Sequence, residues 1–263
     1  MLLTIQIVNF NSRDELASCL CSVEENISDK SNLQVVIVNN DGEKLGSFPG
    51  GFSLETIEKN ENVGFGKAHN LGFRRAKGKY VLFLNPDAKI FPGTIEALLD
   101  AFAGDEKIGI ASPIHVGEND ISGEEHFGRR KTPLSMIWTK ISGMKRDIGD
   151  GIFETDWVSG GAMMVKKDLF SELGGFDENF FMYFEDVDLC LRAKKKGWKV
   201  AVQPRAKIFH KSGQSFSSAR QKKKHYYASQ AHYVRKNFGL FLAWTVRALR
   251  FPLYMKNVYF SRK

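Results

Sequence analysis

Eight residues, Tyr80 to Asp87 (YVLFLNPD), constrain this chain more than any others. Tyr80–Leu84 is a short, almost wholly apolar run and reads as a strand buried on both faces of a largely parallel sheet. Pro86 cannot donate to a sheet ladder, so the strand should end at Asn85 and the chain turn outward. If the backbone stays extended through the proline, Asn85 and Asp87 project to the same side. A carboxylate at the carboxyl end of a buried parallel strand lies where open α/β sheets bind ligands. The plainer role for Asp87 is to cap the helix expected near Thr94.

The same alternation surrounds this stretch. Residues 2–10 and Val35–Val38 are further buried strands, and Ser53–Lys59 is a shorter one. A helix follows Ser12-Arg13-Asp14-Glu15, which has the spacing of a capping box, and it carries a stripe of Leu16, Cys19, Leu20 and Val23. Helices are expected around Lys67–Ala76, Thr94–Phe102, Asp168–Leu173 and Glu185–Lys196. Strands are expected at Ile108–Ala111, Trp157–Val165, Val200–Val202 and Lys207–His210. Strands alternating with helices at this spacing predict an α/β nucleotide-binding type of fold. Residues 113–152 read as an excursion of weak periodicity, with some helix near Leu134–Ile141.

Charge is informative through its placement. Asp188 is the last acidic residue, and the 75 residues after it hold 19 of the 38 Lys and Arg, so they carry +19 against −11 for the first 188. The asymmetry suggests a tail that faces a polyanion, and the pattern turns helical from about Ser217, so a domain over residues 1–216 and a basic helical extension over 217–263 are expected. The apolar run Leu240–Tyr254, broken by Arg247, Arg250 and Pro252, is too short and too charged to span a bilayer comfortably. It suits a helix lying in the plane of anionic headgroups, with Phe241, Leu242 and Trp244 inserted and Lys222–Lys224, Tyr226 and Tyr227 at the surface. The alternative is a helix packed on the domain with a solvated basic face. Three cysteines without metal-ligand spacing, and no secretory leader pattern, lead to the expectation of a cytoplasmic protein at the inner face of the membrane.

Four groups of residues carry chemistry. Asn85-Pro86-Asp87 is the first. Glu185, Asp186 and Asp188, three acids in four residues at the start of a helix, exceed what the helix dipole requires. His210 closes a strand and precedes Lys211-Ser212-Gly213-Gln214-Ser215. Asn9, Asn11, Asn39, Asn40, Asn62 and Asn70 gather at strand ends, where amides can read a base edge or a sugar hydroxyl, although Asn also favours turns. The chain has neither G-x-G-x-x-G nor G-x-x-x-x-G-K-[ST], which disfavours a dehydrogenase or an NTPase. A nucleic-acid binder could use the basic extension, but the acids at 185–188 would repel phosphate, so nucleic acid is not expected as a partner.

Taken in order, IVNFNS, NVGFGKAHNLGFRRAKGKYVLFLNPD, DWVSGGAMMV, GGFDENFFMYFEDVDLCLR and the later His210 resemble the inverting family 2 glycosyltransferases of GT-A fold. The likeness covers residues 3–216 and is nearest to bacterial rhamnosyltransferases of O-antigen and cell-wall polysaccharide synthesis. The resemblance implies a Rossmann-like, mostly parallel sheet and a nucleoside diphosphate sugar donor. It implies Mg²⁺ or Mn²⁺ held by Asp87, which matches the last acid of a D-x-D-like motif, and by His210. Asp186 matches the catalytic base, with Glu185 and Asp188 as supports for the acceptor or its loop. Trp157, Gly160 and Gly161 fall on the acceptor and sugar pocket, and Asn9, Asn11, Asn39, Gly64, Lys67, Asn70, Asn85 and Asp87 fall along the donor site. The chain departs from the family at Asn85, which replaces the first acid of D-x-D, and at Asn39, which replaces an acid that reads the pyrimidine. The amide oxygen of Asn39 can still accept from a pyrimidine N3–H. The implied reaction moves L-rhamnose from dTDP-rhamnose to a lipid-linked saccharide. Galactofuranose, glucose and N-acetylglucosamine remain open as donor sugars.

Overall fold

The computed structural model describes residues 1–48, 50–117, 120–121, 126–137, 149–210 and 218–259. The chain begins β1 (Leu3–Asn9), α1 (Arg13–Asn26), β2 (Leu33–Asn39), β3 (Ser53–Glu58), α2 (Phe65–Phe73) and β4 (Tyr80–Leu84). It continues through β5 (Ala88–Ile90), α3 (Thr94–Gly104), β6 (Ile108–Gly117), β7 (Asp120–Ile121), β8 (Phe127–Gly128) and α4 (Pro133–Ile137). Then come β9 (Phe153–Thr155), β10 (Trp157–Val158), β11 (Ala162–Lys166), α5 (Lys167–Glu172), α6 (Glu185–Lys195) and β12 (Lys199–His210). Two helices, α7 (Ala219–Phe238) and α8 (Leu240–Tyr259), complete it.

The main sheet runs β3-β2-β1-β4-β11-β6-β12-β5. Strands β3, β2, β1 and β4 are mutually parallel, whereas β11 enters antiparallel between β4 and β6. All five residues of β4 are buried, as the apolar run predicts. One face packs on α1 and α3 through Leu16, Leu20, Ile95, Leu98 and Phe102. The other packs on α5, α6 and α7 through Phe170, Leu189, Val234 and their neighbours. On that second face, Phe83 meets the rings of His69, Phe170 and Phe176 at 4.8–5.1 Å. Removing such a buried ring typically costs about 3–5 kcal/mol.

Several local expectations are corrected. Ser12 stands at the N-cap of α1, but its hydroxyl donates to the Phe10 carbonyl and no capping box forms. The segment expected as one strand over Trp157–Val165 is two, broken at Ser159–Gly161. The two short strands expected near Val200 and Lys207 are one, β12, whose pairing with β6 shifts between Gln203 and Lys207 at Pro204. Residues 138–141 of the helix expected near Leu134–Ile141, and residues 211–215 after His210, lie outside the described residues.

The C-terminal helices are not a separate appendage. Tyr233 and Val234 of α7 are fully buried in the second core. The Ser229 hydroxyl donates to the Met182 carbonyl at 2.7 Å, and Lys236 reaches Asp188 at 2.9 Å. Helix α8 packs on α7 and α4, and its Ala243 and Val246 join the same core. Its opposite side is apolar and open, with Phe241 82% and Trp244 63% exposed beside Leu240, Leu249 and Phe251.

Candidate active site

The ends of β1 and β4, the break between β10 and β11, the loop before α6 and the start of α7 surround a cleft of about 560 Å³. Its two polar ends are formed differently. At the first, Asn85-Pro86-Asp87-Ala88 is a turn closed by the Ala88 N–H donating to the Asn85 carbonyl at 3.1 Å. The backbone is therefore not extended through the proline, yet both polar side chains still converge. Asp87 Oδ1 and Asn85 Nδ2 each lie 3.2 Å from His210 Nε2. Asp87 does not cap α3, where Gly93 holds the N-cap position. The edge of the His115 ring meets the His210 ring at 5.1 Å, and His115 is itself stacked on His126 at 4.4 Å.

The second end is the start of α6. Asp186 accepts from the Gly160 N–H at 3.0 Å and from its neighbour Val187 N–H at 2.7 Å. Burial raises its carboxyl above the ordinary carboxylate range, against the pull of those two N–H groups. Burial, reinforced by the charge of Asp186, raises Glu185 well above that range, and its Oε2 has no hydrogen-bond partner among the described residues. Tyr183 and Phe184 hold this corner in left-handed backbone at φ 69° and 68°. Such strain in non-glycine residues persists only where surrounding structure enforces it, and it concentrates at functional sites.

Gly160 and Gly161 join the two ends. Gly160 donates to Asp186, while a Cβ on Gly161 would stand 3.3 Å from His210 Cε1 and 3.4 Å from Asn85 Nδ2. Any side chain at Gly161 would crowd the Asp87–His210 corner. Gly64 is required for a different reason: its φ is +88°, and a Cβ there would lie 2.5 Å from the Phe181 carbonyl. That carbonyl accepts from the Phe65 N–H at 2.9 Å, which ties the aromatic loop to α2.

Asp87, Asn85, His210, Gly64, Trp157, Gly160, Gly161, Glu185 and Asp186 thus all line one cleft. Other expected site residues do not. Asn9 and Asn39 are fully buried and bonded to each other, Asn9 Nδ2 donating to Asn39 Oδ1 at 2.8 Å. Asn39 Nδ2 donates to Glu58 and to the Glu43 carbonyl, so its amide ties strand ends together. The Asn11 backbone N–H donates to Asp41 at 3.2 Å, outside the cleft lining. Lys67 points to solvent on α2. Asn70 clamps Phe176, donating to its carbonyl and accepting from its N–H. Asp188 is completely buried and pairs with Arg192 at 2.7 Å and Lys236 at 2.9 Å, so it ties α6 to α7 behind the cleft.

The cleft also recruits residues assigned no site role from sequence. Lys131 and the aromatic loop Phe181–Phe184 line it, as do Lys222 and Tyr226 of α7. Lys222 and Tyr226, expected at the headgroup surface, thus line the cleft. Only the strain-prone aromatic run beside three acids, and the interleaved Lys and Tyr of α7, offered a sequence signal for these.

A sequence profile described as "Glycosyl transferase family 2" matches residues 4–174. The chain belongs to glycosyl transferase family 2. Within the family it is similar to N-acetylglucosaminyl-diphospho-decaprenol L-rhamnosyltransferase of Mycobacterium tuberculosis, 31% identical over 157 residues, covering 52% of this chain and 48% of that protein. Rhamnosyltransferase WbbL of Escherichia coli K12 is 28% identical over 161 residues, covering 56% and 60%. The dTDP-rhamnosyl transferase RfbF of Shigella flexneri is 27% identical over 197 residues, covering 70% and 62%. The matches thus span about half to three-fifths of these relatives' lengths.

The fold is GT-A. GalNAc-T7 with UDP, GalNAc and Mn²⁺ superposes with a TM-score of 0.64 at 14% identity, covering 99% of this chain and 57% of that one. Mannosyltransferase PcManGT of Pyrobaculum calidifontis, with GDP-Man and Mn²⁺, gives 0.60 at 15% identity, covering 98% and 69%. In this family 2 chain, Asp87, His210 and Asn85 bring a carboxylate, an imidazole and an amide to one corner, a donor set that fits a hard divalent cation. Among the described residues no group of three or more His, Cys, Asp or Glu could hold a metal. A two-residue corner fits Mg²⁺ or Mn²⁺, which are bound through few carboxylates together with substrate phosphates and water.

Proposed function

We propose that the chain is a metal-dependent inverting glycosyltransferase that moves L-rhamnose from dTDP-rhamnose to a lipid-linked saccharide during cell-surface polysaccharide synthesis. One observation carries the reading: the Asp87–His210 corner and Asp186 stand at the two ends of Gly160–Gly161 in one cleft. A sugar lying over that glycine pair has its diphosphate at the first end and its acceptor hydroxyl at the second. Asp186 takes the acceptor proton as the hydroxyl attacks the anomeric carbon from the face opposite the diphosphate, so the configuration inverts. General-base help of this kind is typically worth about 10²–10⁴-fold. Its raised carboxyl suits the role, because a base works best with a pKa nearer the working pH. Asp87 and His210 would hold Mg²⁺ or Mn²⁺, which supplies charge neutralisation for the departing diphosphate. The similarity to the M. tuberculosis, E. coli and S. flexneri rhamnosyltransferases supports the donor and the lipid-linked acceptor.

The open face of α8 supports a peripheral seat on the inner leaflet. No described helix is long and apolar enough to cross a membrane. Phe241, Trp244 and Leu249 face outward, and Arg220, Arg247 and Lys256 rim the helix pair without a single acid beyond Asp188. That charge complements anionic lipid, at about 1 kcal/mol per basic residue near the surface.

A panel of sugar nucleotides tests the donor by protection from thermal unfolding and by transfer, with the product anomer read by NMR. Protection and transfer specific to dTDP-rhamnose, with inversion, are expected. Full activity in excess chelator would remove the metal role. For the membrane seat, wild type should float with phosphatidylglycerol vesicles, and Phe241→Ser with Trp244→Ser should not.

A further inference from the structure

Beside the cleft lies a second cavity, of about 210 Å³, on the far side of Trp157. Lys131, Trp157 and Val187 line both, so the two are neighbours across a shared wall next to Asp186. At this size the cavity falls below the about 300–1,000 Å³ of pockets that take a whole small molecule. It suits one group of a ligand that also occupies the cleft.

Its charge is one-sided. Arg130, Lys131, Lys194 and Lys195 face it against a single acid, Asp156. Lys194 is ion-paired with Asp156 and also donates to the Thr155 carbonyl at 3.1 Å, and the Arg130 N–H donates to Asp156 at 2.9 Å. The acid is therefore spent. Arg130 makes no ion pair among the described residues, its guanidinium lying 5.4 Å over the Phe238 ring. Among the described residues Lys195 reaches only the amide oxygen of Asn237, at 3.4 Å. The Lys131 ammonium lies 4.7 Å over the Trp157 ring, between the two cavities. Arg130 and Lys195, which have no carboxylate partner among the described residues, stand beside this small concavity, an arrangement that suits phosphate groups.

The cavity also points somewhere. Phe238, beneath Arg130, ends α7, and two residues later α8 opens with the exposed run Leu240–Leu242. Helix α4, which follows Lys131, packs on α8. The basic cavity thus stands between Asp186 and the apolar face of the last helix.

We propose that this cavity receives the diphosphate of the lipid-linked acceptor, with Arg130 and Lys195 as its cations, so that the lipid leaves toward α8 and the acceptor sugar reaches Asp186. The assignment rests on the lipid-linked acceptor reading and gives it a site distinct from the donor diphosphate corner at Asp87.

The test uses the full chain with saturating dTDP and Mg²⁺ to fill the donor site, and geranyl diphosphate as the probe, titrated calorimetrically. Binding of the probe is expected, with at least tenfold weaker affinity in Arg130→Ser/Lys195→Ser. The control Lys77→Ser/Lys107→Ser, which removes two exposed charges elsewhere, should bind as wild type. Unchanged affinity in the cavity variant would overturn the proposal, as would equal weakening in the control. Inorganic diphosphate binding as tightly as geranyl diphosphate would overturn the lipid assignment. Thermal protection by dTDP is read separately: its absence would sink the donor reading, while the comparison of variants with the probe would still decide the cavity.

Discussion

The Gly160 N–H lies 3.0 Å from Oδ2 of Asp186, so the same glycine pair that borders the Asp87–His210 corner also fixes the carboxylate at the opposite end of the cleft. Asp186→Asn keeps an acceptor oxygen for the Gly160 N–H, gives up the bond from the Val187 N–H and removes the base. Transfer should fall by about 10²–10⁴-fold while dTDP-sugar affinity stays within twofold. Single-turnover assays with parallel calorimetry check this. Because burial raises the Asp186 carboxyl, the acid limb of the kcat/KM profile should lie above the ordinary carboxylate range and vanish in the variant.

His210→Ala leaves Asp87 and Asn85 alone at the metal corner. The Mg²⁺ or Mn²⁺ concentration for half-maximal activity should rise at least about tenfold, since even residues behind a metal ligand are worth about 10–100-fold. A metal titration at fixed donor reads it. An unchanged titration would remove His210 from the ligand set.

Asp188 is wholly buried between Arg192 of its own helix and Lys236 of α7. Asp188→Ala leaves the Arg192 guanidinium without its carboxylate, while Lys236 keeps Asp177, and should cost about 3 kcal/mol, measured by urea unfolding. The same contacts mean that deleting residues 218–263 should destabilise the whole domain, not merely release it from lipid. Point variants on the outer face of α8 are the proper probe of the membrane seat.

Glu185 carries a carboxyl whose pKa burial and Asp186 raise well above the usual value. A carboxyl raised in the folded state holds its proton more tightly there than in the unfolded chain. Its ionisation therefore costs stability as pH rises above the unfolded value and costs nothing below it. Glu185→Gln should unfold at a higher temperature than wild type near pH 8, and the gap should close toward pH 4. Thermal melts across that range check the sign.

Much of the fold was legible because burial of a strand on both faces writes itself as an uninterrupted apolar run. Tyr80–Leu84, Val35–Val38 and the stripe Leu16, Cys19, Leu20 and Val23 all fall inside as their patterns predict. The antiparallel entry of β11 was not legible, since strand direction depends on which neighbour the chain reaches and not on its own pattern. At the candidate site, Asp87, Asp186 and His210 stood out at element ends, the resemblance implied their roles, and the structure brings all three to one cleft. Asn39 and Asn70 were drawn into the same group by the same logic, yet their amides are consumed by Glu58 and Phe176.

By itself the sequence determined where buried strands end, and so where polar side chains could be offered to a ligand. Only the tertiary structure decided which of them are free to accept one. A polar group's availability depends on how distant elements pack around it, and an amide or carboxylate enclosed away from the cleft with its partners becomes scaffold. That is why Asp188 holds α7 while Asp186, two residues earlier, faces the cleft.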